Sequence, residues 1–278
     1  MNNRNFKSWL NFPSKSLIMG ILNVTPDSFS DGGQFTKAQQ AADFALKMIN
    51  DGADIIDIGG ESTRPGAVPV TLDEELKRIK PVIKAIRSQT DCLISIDTYK
   101  ASVAEAALDL GADLINDISS LSYDENMANL VSTRKVPVIL MHMQGSPQNM
   151  QLAPSYNNLI DDLISFFNNK IEIANKAGIL NNMIILDPGI GFGKDVEDNF
   201  EIIRELKQIK AMGYPILLGT SRKSFIGKAL QLPVEDRLEG TMASIAVGII
   251  NGANIVRVHD VLQTKRTISI VEKLLGES

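Results

Sequence analysis

Side chains able to bind or polarise a substrate stand at the ends of short apolar runs in this 278-residue chain. The runs finish in Asn23, Asp57, Asp97, Asn116-Asp117, His142, Asp187 and Arg257-Val-His259. Strand interiors favour apolar and β-branched residues, and Asp and Asn are depleted there. Helix capping or turn formation accounts for any one of these residues taken alone. It accounts poorly for a carboxylate, amide or cation at nearly every run, and it does not place Arg257 and His259 two residues apart. On an extended strand residues i and i+2 share a face. Leu93, Ser95 and Asp97 therefore point one way, and so do Ile255, Arg257 and His259. An Arg beside a His at a strand end suits an anion such as phosphate; a solvated end with unrelated ion pairs is the alternative.

Three loops add to this chemistry. Asn23-Val-Thr-Pro-Asp-Ser-Phe-Ser-Asp-Gly-Gly33 is a turn-forming stretch with one aromatic, Phe29, and its length favours a lid over a plain surface turn. Gly59-Gly-Glu-Ser-Thr-Arg-Pro-Gly66 offers Thr63 and Arg64 to an anion or a ring. Gly219-Thr-Ser-Arg-Lys-Ser224 leads backbone N–H groups and Lys223 into a helix, an arrangement suited to an anion or a heterocycle. Other matches fail. Gly189-Ile-Gly-Phe-Gly-Lys194 lacks the first glycine of a P-loop, which falls on Pro188, and Asp195 follows the lysine. No G-x-G-x-x-G opens a helix, and two histidines without H-E-x-x-H argue against a tight zinc site. A hard cation held by oxygens, such as Mg²⁺, stays open.

The elements that must position these groups follow a simple rhythm. Eight runs are of strand length: Ile18–Asn23, Asp54–Gly59, Leu93–Asp97, Leu114–Ile118, Val138–His142, Ile184–Asp187, Ile216–Gly219 and Asn254–His259. Helical spacing fills the intervals, as in Thr36–Asn50, Leu72–Gln89, Lys100–Leu110, Leu159–Ala177 and Val196–Met212. Asp51-Gly-Ala-Asp54, Leu110-Gly-Ala-Asp113 and Asn251-Gly-Ala-Asn254 each close a helical stretch before a run, where glycine can take the left-handed conformation that ends a helix. Strand and helix alternating throughout mean parallel pairing with crossovers. Eight of each predict an α/β chain of one (β/α)8 TIM-barrel domain over residues 1–278, with residues 1–16 as an N-terminal extension. An open doubly wound sheet is the alternative. In a barrel, the strand-end groups would all converge at the C-terminal mouth.

Composition narrows the class. Apolar residues are 44% and charged residues 22%, so the chain can fold around a core, unlike a disordered tail. A net charge of −5 provides no bulk basic surface, and no nucleic-acid partner is expected. No apolar run has the length of a membrane span, and the first residues lack the apolar core of a secretory signal, so a cytoplasmic protein without a membrane partner is expected. The single cysteine, Cys92, has no intrachain disulfide partner and reads as core packing.

The two loops Asn23–Gly33 and Asp57–Gly66 closely resemble the two signatures of the dihydropteroate synthases. Ser95-Ile-Asp-Thr98, Ile115-Asn-Asp117, Asp187-Pro-Gly-Ile-Gly-Phe-Gly193, Ser221-Arg-Lys-Ser224 and Arg257-Val-His259 also match, in order, over residues 18–260. The resemblance implies a folate-pathway transferase, usually a homodimer. Such an enzyme joins 6-hydroxymethyl-7,8-dihydropterin diphosphate to 4-aminobenzoate and releases 7,8-dihydropteroate and diphosphate. Carried over by position, the pterin site falls on Asp97, Asn116, Asp187, Lys223 and Arg257, with the catalytic set Asp97, Asp187, Lys223, Arg257 and His259. Asn23 matches the Mg²⁺ ligand, and Asn23, Arg64, Arg257 and His259 match the diphosphate contacts. Phe29, Thr63, Arg64, Pro65, Phe192 and Ser221 match the aminobenzoate side, where sulfonamide drugs bind in the family. A methyltetrahydrofolate-binding methyltransferase module would share the pocket but would not need the Asn23 loop or the Ser221–Ser224 turn. A non-catalytic relative would be expected to lack Asn23, Asp97, Lys223 or His259, and all four are present. Residues 144–155 match no role.

Overall fold

The apolar runs become eight parallel strands. They are β1 (Leu17–Asn23), β2 (Ile55–Gly59), β3 (Leu93–Asp97), β4 (Leu114–Asp117), β5 (Val138–Met141), β6 (Ile184–Asp187), β7 (Leu217–Leu218) and β8 (Ile255–Val258). The computed structural model describes residues 3–25, 34–63 and 66–276. Every strand end lies within one residue of its sequence expectation. The hydrogen-bonded order is β6-β5-β4-β3-β2-β1-β8-β7. Leu186 bridges to Ile216, and its N–H donates to Pro215 O at 2.9 Å, so β6 meets β7. The sheet closes into a (β/α)8 barrel, which removes the open-sheet alternative.

The crossovers are α2 (Gln34–Asp51), α3 (Leu72–Arg87), α4 (Ala101–Asp109), α5 (Met127–Arg134), α6 (Leu159–Lys176), α7 (Val196–Arg204), α8 (Leu206–Lys210), α9 (Ser224–Leu230), α10 (Leu238–Ile250) and α11 (Val261–Leu275). Val196–Met212 is two helices instead of the one expected. Glu205, at φ −98° and ψ 12°, leaves the helical region. The buried stripe Ile202, Ile203, Leu206, Ile209 keeps its period across the bend, so spacing alone conceals it. The three glycines of the repeated Gly-Ala motif, Gly52, Gly111 and Gly252, have φ of +112°, +99° and +110°, the conformation that ends each helix. Among the described residues no helix is long and apolar enough to cross a membrane.

Alternation divides the barrel into two cores. Outward residues such as Ile56, Ile94, Ile115, Leu140, Leu186 and Val256 pack under the helices. Inward residues Leu17, Met19, Ile55, Leu93, Leu114, Ile139, Ile185, Leu217 and Ile255 form a separate apolar layer. That layer also contains Phe6, Trp9 and Leu10 from a helix α1 (Asn3–Asn11). The expected N-terminal extension is therefore a plug across the N-terminal end of the barrel. Its rings stack, with centroids 5.8 Å apart, and Trp9 Nε1 donates to Lys15 O at 3.0 Å. Phe6 is fully buried. Phe6→Ala is expected to cost about 3–5 kcal/mol of stability, the usual range for emptying a buried aromatic site. Urea unfolding measures this, and a loss under 1 kcal/mol (an order-of-magnitude threshold) would mean the plug carries little of the fold.

Candidate active site

Two residues beyond the inner apolar layer, the same strand faces change character. The inward positions are now Asp57, Ser95, Asn116, Met141, Asp187, Gly219 and Arg257. One step further come Asn23, Gly59, Asp97 and His259. The register sets Asn23 beside Gly59, Gly59 beside Asp97 and Asp97 beside Asn116, so four strands deliver one row. Gly59 leaves space there: a Cβ on it would lie 3.6 Å from Asn23 Oδ1 and 3.7 Å from Asp97 Oδ2. A polar layer thus rests on a buried apolar floor at the C-terminal mouth, where active sites of this fold occur.

Arg257 organises the layer. Its Nε donates to Asp57 Oδ2 at 2.6 Å and its Nη2 to Asp97 Oδ2 at 2.8 Å. Asn116 Nδ2 donates to the same Asp57 oxygen at 3.1 Å. Burial pushes the Asp97 carboxyl up to about 7, against the pull of Arg257, and the Asp57 charge adds to the rise. Asp187 is also pushed up by burial, opposed by the Gly189 N–H, which donates to Oδ1 at 2.7 Å, and by Lys223 and Arg257. Burial holds the Lys223 ammonium down at about 8. Three carboxylates, Asp57, Asp97 and Asp187, face two cations. Asp57 Oδ1, Asp97 Oδ1 and Ser95 Oγ are buried without a hydrogen-bond partner. Buried polar atoms are normally paired, so this layer holds unused hydrogen-bonding capacity, two carboxylate acceptors and one hydroxyl.

The flanking loops are fixed by their own chemistry. Arg222, at φ +56°, turns its guanidinium to Asp260, with Nε to Oδ2 at 2.9 Å and Nη2 to Oδ1 at 2.5 Å. That fork holds the Gly219–Ser224 turn next to His259. Ser221 Oγ accepts the His259 backbone N–H at 3.2 Å and lies 3.0 Å from His259 Nδ1. Lys223 donates to Ile190 O and sits 4.3 Å over the Phe192 ring. On the opposite side Glu61 anchors the second loop. Lys100 Nζ donates to Glu61 Oε2 at 2.5 Å and to Glu75 Oε2 at 2.6 Å, while Tyr99 OH donates to Glu61 Oε1 at 2.8 Å. Thr63 stands half-buried just beyond that anchor. Phe29, Arg64 and Pro65 lie outside the described residues.

The structure thus gathers Asn23, Asp97, Asn116, Asp187, Ser221, Lys223, Arg257 and His259 around one mouth, with Phe192 against Lys223. It does not gather every strand-end group. Asp117 and His142 stand at the other parity and face the helices. Asp117 accepts from Ser119 N, Ser119 Oγ and Leu121 N at 2.8, 2.7 and 2.7 Å, the turn-capping role. His142 packs its ring edge-on to Phe166 and meets Lys194 Nζ at 2.9 Å through Nδ1. Burial and the Lys194 charge hold that imidazole down at about 2, so it is neutral. The positions carried over by resemblance do not include Asp57 or Ser95, which the strand faces place in the same polar layer. Both were legible, Asp57 as a run-end carboxylate and Ser95 through its shared face with Asp97. Among the described residues no group of three or more His, Cys, Asp or Glu could hold a metal.

Comparison with known proteins agrees with this geometry. Residues 19–259 match the pterin binding enzyme family. The dihydropteroate synthase of Clostridium beijerinckii is 50% identical over 263 residues, 94% of this chain and 95% of that protein. The Clostridium difficile dihydropteroate synthase crystallised in the presence of pteroic acid superposes with a TM-score of 0.90 at 48% identity, covering 95% of this chain and 98% of the other. The Xanthomonas albilineans dihydropteroate synthase with 4-aminobenzoic acid gives 0.89 at 39% identity, covering 95% and 94%. A closed barrel with a buried acid–amide–arginine layer at its mouth, and near-full-length likeness to these enzymes, make this chain a member of the dihydropteroate synthase family of pterin-binding transferases.

Proposed function

We propose that the chain condenses 6-hydroxymethyl-7,8-dihydropterin diphosphate with 4-aminobenzoate to give 7,8-dihydropteroate and diphosphate. The unpaired acceptors Asp57 Oδ1, Asp97 Oδ1 and Ser95 Oγ carry this reading. A pterin presents N–H donors and ring nitrogens along one edge, and acids with an amide can bind that edge in one orientation. Asp97, Asn116 and Asp187 take the ring, joined here by Asp57. Arg257 lies against it and Lys223 closes one side. Phe192, Ser221 and Thr63 serve the aminobenzoate side, to which the family resemblance also assigns Phe29, Arg64 and Pro65. Sulfonamides are expected to compete there.

The diphosphate leaves toward Asn23, Arg257 and His259. One amide oxygen, Asn23 Oδ1, stands across Gly59 from Asp97 Oδ2, and among the described residues no group of three or more His, Cys, Asp or Glu is placed to cage a metal. That donor set fits Mg²⁺, which keeps waters and substrate phosphate oxygens among its ligands. When bound, the ion would spread the charge of the leaving diphosphate. The C–O bond to diphosphate breaks first and leaves a cationic methylene on the pterin. Asp97 and Asp187 stabilise that charge. The aromatic amine then forms the C–N bond and releases a proton. No side-chain nucleophile takes part. The enzyme acts in the cytoplasm as a homodimer in this reading, and exposed Val247, Ile250 and Ile270 supply apolar surface for a second copy to cover.

Purified protein with Mg²⁺ and both substrates is expected to yield dihydropteroate and diphosphate. Well-folded protein giving no product refutes the assignment. Positional isotope exchange in labelled pterin diphosphate without the amine tests the order of bond changes, because a strictly concerted displacement shows none. His259→Ala is expected to lower kcat about 10–100-fold and leave affinity for the pterin ring within about threefold, since the imidazole serves the leaving group. Calorimetry beside steady-state kinetics measures both, and a pure loss of ring binding contradicts the role.

A further inference from the structure

The segment after β5 has no assigned role, yet it touches both loops that flank the aminobenzoate side. On one flank the Gly66 N–H donates to Pro147 O at 3.1 Å. On the other, Gln151 Nε2 donates to Gly191 O at 2.7 Å. Between these points the chain is one tight turn. Asn149 Oδ1 accepts from Ser146 N at 2.8 Å and Ser146 Oγ at 3.0 Å, and Asn149 N and Met150 N donate back to Ser146 O at 3.0 and 2.7 Å. The Met150 side chain is buried beneath it. The neck is closed as well, because Gln144 Nε2 donates to Ser155 O at 2.8 Å and Gln144 Oε1 accepts from Ser155 N at 2.9 Å.

The root of the segment is seated on the Phe192 loop. A Cβ at Gly189 would fall 1.9 Å from His142 O, and one at Gly193 would fall 2.4 Å from Gln144 O. Only glycine permits these approaches, and both have positive φ. Lys194 Nζ joins the same two strands of chain, meeting His142 Nδ1 at 2.9 Å and Phe192 O at 3.0 Å. The segment is therefore fixed to the Phe192 loop at its root and its tip, and it reaches the second loop at Gly66.

We propose that residues 142–158 form a bracket that sets the gap between the two walls of the aminobenzoate site, with Gln151 as its positioning residue. The proposal rests on the assignment of Thr63 and Phe192 to that site. Gln151 acts through the Gly191 carbonyl, to which its Nε2 donates at 2.7 Å. It holds the Gly191 carbonyl, one residue from the Phe192 ring, at a set distance from the Pro147 carbonyl that receives Gly66.

Gln151→Glu keeps the side-chain shape and removes the donor, so two acceptors face each other at Gly191 O. KM for 4-aminobenzoate is expected to rise about tenfold, with kcat within about twofold. The dissociation constant for pterin diphosphate with Mg²⁺, measured by calorimetry, stays unchanged. Hydrogen–deuterium exchange quickens in peptides covering 59–70 and 188–193 together. Gln151→Lys restores a donor and brings KM back to within about threefold of the parent. An unchanged aminobenzoate KM with unchanged exchange in Gln151→Glu overturns the bracket. So does a parallel loss of pterin affinity and thermal stability, which would mark general damage. A parent protein without synthase activity, in which Gln151→Glu still quickens exchange on both loops, keeps the bracket and refutes only the substrate assignment.

Discussion

Arg257→Met is expected to cost about 3–5 kcal/mol of stability and to cut kcat/KM about a thousandfold. The guanidinium is the direct cationic partner of Asp57 and Asp97, at 2.6 and 2.8 Å, and those carboxylates are 0% and 7% exposed. Removing one partner of a buried ion pair leaves the other charge without compensation, which costs far more than the pair contributes. The protein has one escape, to take up a proton. Asp97 already lies near 7 with the cation present, because burial outweighs the attraction, and without Arg257 it rises further. The sign follows from linkage. A carboxyl whose folded pKa exceeds its unfolded value binds more protons in the native state across that interval, so native stability falls as pH rises through it. The penalty in Arg257→Met is therefore larger at pH 8 than at pH 6. Urea unfolding at both values checks this, and equal losses at the two pH values would show that Asp97 does not absorb the change.

The same strand pattern that makes this cluster explains how far the sequence could be read. Short β-branched runs have few alternatives in an alternating α/β chain, so even two-residue β7 was placed by Ile216–Gly219. Which face of each run turns inward is a question of parity, and a shift of one residue reverses it. Alternation alone puts Ser95 with Asp97 and Arg257 with His259 on shared faces, and it is the closed barrel that turns both faces inward. Asp117 and His142 sit one residue off that face, and nothing local distinguishes them from Asn116 or Asp187. Their parity is fixed only by pairing, as when Met141 aligns with Asp187 and leaves His142 outside. Helix α1 is not legible in the sequence because its short apolar stripe, Phe6, Trp9 and Leu10, lies among polar residues and meets its partner layer only after the barrel closes. The bracket after β5 was opaque for a related reason. Its links run through the Gly66 N–H and the Gly191 carbonyl, and backbone donors and acceptors leave no mark in a sequence.

Asp187→Asn separates binding from folding, the reverse of what Arg257→Met does. Burial disfavours the Asp187 charge, and the isosteric amide removes that charge without opening a cavity. The Asn oxygen can still accept the Gly189 N–H that Asp187 Oδ1 takes at 2.7 Å, so the turn into the Phe192 loop keeps its anchor. Thermal stability is then expected to match the parent or exceed it slightly. Binding is another matter. Once Oδ1 is committed to Gly189, the second atom is all the residue offers to a ligand, and the substitution changes that atom from an acceptor into an NH₂ donor. A pterin N–H that met a carboxylate oxygen would meet another donor. Losing a charge-assisted hydrogen bond and leaving a buried donor unpaired costs about 3 kcal/mol, a drop of about a hundredfold in pterin diphosphate affinity. Calorimetry with that ligand, beside a melting curve, measures the two effects independently. An affinity unchanged from the parent would remove Asp187 from the pterin site, and a collapsed melting curve would make it a structural residue of the barrel mouth.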